Sequence, residues 1–144
     1  MQAATSRAIP IDPEKIPGML ATLCSYEAWL GPYHPQTLSL LTQVGIAYWQ
    51  AGDARAALPV LEGAVRDLGG HLRPDHELRM QALAALRDLL MATRDWDRAA
   101  AVQSELLRCQ ILSLGSDHPQ TAATRASLAA ILLEKGSNGT AGEV

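Results

Sequence analysis

One segment recurs three times at a fixed interval: Leu30-Gly31-Pro32-Tyr33-His34-Pro35-Gln36-Thr37, Leu72-Arg73-Pro74-Asp75-His76-Glu77-Leu78-Arg79 and Leu114-Gly115-Ser116-Asp117-His118-Pro119-Gln120-Thr121. His34, His76 and His118 follow one another at steps of 42 residues. A period of that length marks stacked supersecondary units, each too small to bury its own apolar face and therefore dependent on its neighbours. The chain is read as all-α: a right-handed α-solenoid of antiparallel helical hairpins with about six helices.

The apolar pattern supplies the helices. Leu38, Leu41, Val44, Ala47 and Tyr48 recur at helical spacing, and the next copy matches them with Met80, Leu83, Leu86, Leu89 and Leu90. The third copy gives Ala122, Arg125, Leu128, Ile131 and Leu132, with one polar break at Arg125. These are the first-type helices. Pro35 and Pro119 suit the first helical position, where a missing N–H removes no bond. Gly52-Asp53 ends the first of them with a left-handed cap and opens its successor with a side-chain acceptor. Asp95-Trp96-Asp97 reads as the corresponding cap in the next copy.

Second-type helices follow each turn. Ala57, Val60, Leu61, Ala64, Val65 and Leu68 form one stripe, matched by Ala99, Val102, Leu106 and Leu107. Carried back one period, the register predicts a second-type helix from about Pro13 to Leu30 with no first-type partner, turning Ile16, Met19, Leu23, Tyr26 and Leu30 inward. Pro17 and Pro59 then occupy equivalent positions and predict paired kinks. The organisation expected is a flexible segment at 1–12, a repeat domain at 13–136 and a disordered tail at 137–144. Within the domain lie a half-repeat at 13–30, repeats at 34–72 and 76–114, and a terminal helix at 118–135.

Val44-Gly45-x-x-Tyr48-x-x-x-Gly52-x-x-x-x-Ala57-x-x-x-Leu61-x-x-Ala64 resembles the tetratricopeptide repeat (TPR) signature, in which small residues allow close helix approach. The 42-residue period, the Leu-Gly-x-x-His-Pro-x-Thr segments and Ala57-Leu58-Pro59-Val60-Leu61 resemble the kinesin-light-chain variety of that repeat over about residues 14–136. The second copy departs from the pattern, with Arg87 in the register of Gly45 and Ala129, and Arg94 in that of Gly52 and Gly136. The Asn pair of the kinesin-light-chain pattern is replaced by Thr42-Gln43, Ala84-Ala85 and Ala126-Ser127, and no basic set matches the carboxylate clamp of chaperone-type repeats. Neither ligand mode is carried over.

The resemblance places the first-type helices on a concave wall, with Ser39, Thr42, Ile46 and Trp49, then Gln81, Ala84, Asp88 and Met91, then Ala123, Ala126, Ala130 and Leu133 facing it. Trp49, Met91 and Leu133 share one register and could form an apolar strip for a partner's helix or peptide. The plainer alternative is that they pack against neighbouring helices, and solvent exposure separates the two readings.

Other functions find little support. A net charge of −3 without a basic block offers nothing to nucleic acid or an anionic membrane. No apolar run reaches the roughly 20 residues of a bilayer span, and residues 1–10 carry no signal-peptide core, so a cytoplasmic location is expected. Cys24 and Cys109 stand about two periods apart and are expected to be free, buried thiols. Stacking holds equivalent histidines about 10 Å apart, whereas zinc binds its ligands at about 2 Å. The three are therefore expected to mark helix starts, and His71, Asp75 and His76 make only a weak loop candidate. No phosphate loop, nucleophile elbow, His-Glu-x-x-His or Cys-x-x-Cys occurs. The expectation is a non-catalytic module, without cofactor or metal, that binds a protein or peptide. Alternatives are a homodimer formed through the unpartnered terminal helices and a helical appendage of a larger enzyme or signalling protein.

Overall fold

The structure, a computed structural model, describes the backbone of residues 13–73 and 76–143, and side chains within 14–73 and 76–136. The expected flexible segment at 1–12 lies outside the described residues, as does Asp75 of the loop cluster. After a short 3₁₀ turn at Pro13–Lys15 come α1 (Ile16–Trp29), α2 (Pro35–Gln50), α3 (Ala54–His71), α4 (Glu77–Ala92), α5 (Trp96–Leu114) and α6 (Pro119–Glu143). Among the described residues these six helices are the only long elements, and none is a strand. The fold is an all-helical repeat of the expected class.

The periodic histidines explain where the first-type helices begin. Each sits at the N-cap, and its ring Nδ1 accepts the backbone N–H two residues on: from Gln36 at 3.1 Å, from Leu78 at 3.1 Å and from Gln120 at 3.0 Å. An imidazole can accept there only through an unprotonated nitrogen, so each ring stands in for the usual Ser or Asp cap. They are helix starts, as their sequence context implied.

The turns between paired helices repeat as well. After α2, Gly52 N–H donates to Trp49 O and Asp53 N–H to Tyr48 O; after α4, Arg94 donates to Met91 O and Asp95 to Leu90 O. This crossed pattern requires a left-handed residue at the centre. Gly52 supplies it at φ 88°, and Arg94 adopts it at φ 64° despite its side chain. The next helices are then capped by Asp53, which accepts from Ala56 N–H at 3.0 Å, and by Asp95, which accepts from Arg98 N–H at 3.3 Å.

The chain divides into two compact units at Ala64/Val65, within α3. In the first, Ile16, Leu23, Leu38, Val44, Ala47, Ala57, Leu61 and Ala64 are buried, and α1 packs along α2. A Cβ placed on Gly45 would stand 2.6 Å from Leu61 Cδ2 and 2.7 Å from its Cγ, so this approach of α2 to α3 needs glycine. In the second unit α5 packs against both α4 and α6. Leu83, Leu106 and Cys109 form a buried cluster there, flanked by Val65, Met80, Ala84 and Val102.

Several sequence expectations are corrected by the structure. Pro17 falls in the first turn of α1, where its missing N–H removes no helical bond, while Pro59 lies inside α3; the two prolines are equivalent in register and not in effect. Cys24 is exposed, since its register on the second-type helix is the solvent-facing one that holds Arg66 and Arg108 elsewhere; only Cys109 is buried, and neither cysteine forms a disulfide. Leu30 is also exposed. The backbone of α6 continues helical to Glu143, through the stretch from 137 read as a tail. Extending a helix adds one hydrogen bond for each residue fixed, and no proline interrupts this one.

Candidate functional site

The two units distribute the proposed wall residues differently. In the first, Thr42 is buried and its hydroxyl donates to Leu38 O at 3.0 Å, back along its own helix. Ile46 and Trp49 are half-buried. Ser39 borders a shallow cleft of about 270 Å³ with Tyr26, Gln36, Leu40 and Gln43. Trp49 thus spends much of its surface on packing.

In the second unit, two clefts gather residues of α4, α5 and α6. The first, about 350 Å³, is lined by residues including Gln81 and Ala84 of α4 together with Gln120 and Thr124 of α6. The second, about 500 Å³, joins Met91 and Ala92 at the end of α4, Arg94 in the turn, Trp96 at the start of α5, and Ala130, Ile131 and Glu134 of α6. Met91 and Ala130 were both expected on this wall, and the structure brings them to one opening. Ala126 and Leu133 are exposed, Leu133 at 74%, and neither borders the larger cleft. Arg94, Trp96 and Glu134 were not anticipated from the first-type register, because two of them stand at and after the interhelix turn.

The larger cleft mixes apolar wall with opposite charges. Met91, Ala130 and Ile131 contribute apolar lining, while Arg94 and Glu134 bring a cation and an anion. Beside it, Lys135 Nζ lies 3.0 Å from Asp97 and ties α6 to the start of α5. The indole Nε1 of Trp96 is buried and meets no acceptor among the described residues.

A polar seam reaches the smaller cleft, whose lining includes Arg87, Gln110 and Thr124. Arg87 binds Asp88 at 2.9 Å through Nε and donates through Nη1 to Gln103 Oε1 at 3.1 Å. Gln103 is fully buried, and its amide donates onward to Thr124 O at 3.1 Å, while the Thr124 hydroxyl bonds Gln110. Asp88, read from the sequence as a wall residue, is exposed and holds Arg87. Gln103 was missed by the stripe pattern. The signal was present in the register, since Arg87 and Gln103 are the equivalents of Gly45 and Leu61, two positions that touch.

Farther along α5, Glu105 lies 2.6 Å from Arg79 and 2.5 Å from Arg108. Its carboxyl is held below its ordinary value of 4.5, chiefly by the Arg108 hydrogen bond, with partial burial opposing and both arginine charges assisting. The same bond raises the Arg108 guanidinium. These groups brace α4 against α5, and no trio of metal-ligating side chains assembles among the described residues.

No protein-family model matches the sequence, and no curated protein is similar to it. Among solved structures, the chain is similar to a Podosopora anserina protein described as a kinesin light chain with nearly identical TPR-like repeats: 23% identity, TM-score 0.74, covering 90% of this chain and 62% of that one. A substituted variant of the same protein aligns at 24% identity and TM-score 0.75, again over 90% of this chain and 61% of the other. The chain thus spans about six tenths of the length of these structures. Histidine-capped helices at a 42-residue period, a glycine-tight first seam and this likeness together establish that the chain has the TPR-like repeat fold.

Proposed function

We propose that this repeat domain, residues 13–136, is a non-catalytic adaptor of the cytoplasm that binds a peptide or helix of a partner protein along its first-type helices. The fold class generally serves protein–protein interaction. The observation that carries the reading is the cleft of about 500 Å³ in the second unit, where Met91 and Ala130 come together beside Arg94 and Glu134. An opening lined by both apolar residues and charges of both signs suits a side chain or helix turn of mixed character better than a nucleic acid or lipid surface. Within the second unit, Gln81, Ala84, Asp88, Ala126 and Leu133 extend the proposed surface along the first-type helices; within the first unit, Ser39, Ile46 and Trp49 form its counterpart, while Thr42 of the same register is buried.

Ala130 is exposed, so Ala130→Glu alters the cleft without touching the core. Proteins captured from the native lysate by the parent chain are expected to be lost from the Ala130→Glu capture, with circular dichroism and melting temperature unchanged. An identical set of captured proteins would rule the cleft out as the binding surface.

A further inference from the structure

The repeat phase leaves two complementary faces open. α1 is a second-type helix without a first-type mate, and α6 is a first-type helix whose outward registers are uncovered. In α3 the residues Leu61, Ala64 and Leu68 are fully buried; their equivalents in α1 are Met19, half-buried, Thr22, exposed, and Tyr26, half-buried. In α4, Leu90 is 1% exposed, whereas its equivalent in α6, Leu132, is 48% exposed.

The two faces match position by position when the hairpin registers already present are applied to them. Where α2 meets α3, the small Gly45 receives Leu61. The same registers in α6 and α1 hold Ala129 and Met19, again small against large. In the hairpin of α4 and α5, Leu83 packs with Leu106 and Cys109. There the corresponding residues are Arg125 on α6 and Thr22 and Ser25 on α1, so the polar break in one helix faces the polar breaks in the other. Thr22 and Ser25 donate their hydroxyl protons to Gly18 O and Ala21 O, which leaves their oxygens free to accept from a guanidinium. Arg125 is exposed, with one long 3.5 Å contact to Ser116 O.

We propose that α6 of one copy seats on α1 of a second copy, forming across the joint the hairpin that each lacks, with Ala129 on Met19 and Arg125 on Thr22 and Ser25. This joint is heterologous: every added copy presents another free α1 or α6, so the association propagates instead of closing as a symmetric pair. A symmetric α6–α6 contact would bring Arg125 onto the same interface as its own equivalent and leave the α1 face uncovered. The inference is independent of the partner-binding reading.

The test uses the 144-residue chain in a concentration series followed by light scattering and sedimentation. The expected result is a mass that rises beyond two chains with concentration. Thr22→Arg sets a like charge against Arg125, and Ala129→Arg fills the seam opposite Met19. Both positions are exposed in the single chain, so folding should persist by circular dichroism. Each variant alone is expected to have the mass of one chain, and an equimolar mixture to form a 1:1 pair and stop, because one variant keeps α6 intact and the other keeps α1. A parent chain that stays at one-chain mass, a parent that stops at two, a single variant that associates like the parent, or a mixture that remains at one-chain mass would overturn the proposal.

Discussion

The seams of the two complete hairpins solve one packing problem in opposite ways. Between α2 and α3, Gly45 has no side chain and Leu61 fills the space against its backbone. Between α4 and α5, the same two registers hold Arg87 and Gln103, joined at 3.1 Å, with Asp88 neutralising the guanidinium and Thr124 O taking the amide. The first seam is dry and close. The second admits two long polar side chains and satisfies them within a chain of hydrogen bonds, as a buried polar group must be if it is not to cost stability. What looks in the sequence like decay of the second repeat is a paired replacement: a residue unsuited to its register is matched by its contact partner.

Breaking that pairing should have the largest effect. Gln103→Leu, which imports the apolar half of the first seam alone, leaves Arg87 without its inner acceptor and should cost about 3 kcal/mol in urea unfolding. Arg87→Gly in the Gln103→Leu background should recover a large part, with a coupling of at least about 1 kcal/mol in the double-mutant cycle. Additive losses would show that the two positions do not act as a unit.

The first seam can be probed from its tight side. Gly45→Ala drives a Cβ into Leu61 and should destabilise by about 2 kcal/mol. A neutral result would mean that α2 and α3 part at no penalty, and that the contrast between the seams is one of composition only.

A smaller effect of opposite sign is expected at the turns. Arg94 holds a left-handed conformation that Gly52 occupies freely, so Arg94→Gly should stabilise the chain by about 1 kcal/mol and Gly52→Arg destabilise it by a similar amount. Because Arg94 lines the larger cleft, an Arg94→Gly variant that gains stability and loses partner capture would mark this strain as serving binding.

The smallest effect concerns acid. The folded carboxyl of Glu105 lies below its ordinary value, so its contribution is fully present above that value of 4.5 and disappears as pH falls through the lowered one. The stability difference between the parent and Glu105→Gln should therefore shrink on acidification below about 4.5. A difference that is constant with pH would remove the arginine pairing as its cause.

Much of this was legible before any coordinates. The 42-residue step located five of the helix starts to within a few residues, because caps and turns are local: His34, His76 and His118 meet amide groups two residues away, and Asp53 and Asp95 meet amides three residues away. The buried stripes of α2 to α5 followed from helical periodicity in the same way. Thr42 is instructive because its position on the wall was implied by the family resemblance, yet its hydroxyl is taken up by Leu38 O in the preceding turn. Cys24 shows the same limit from the other side, since an apolar residue type suggested burial while its register belongs to the solvent.

Sequence alone determined the repeat, its phase and the caps that begin α2 to α6, since those depend on interactions spanning a few positions. Tertiary structure decided which departures from the pattern compensate one another and which wall residues share an opening. Gln103 meets Arg87 across 16 positions and Thr124 across 21, and Met91 meets Ala130 at a cleft built from three helices. Such encounters depend on how helices lie against one another, and periodicity along a single helix carries only half of that information.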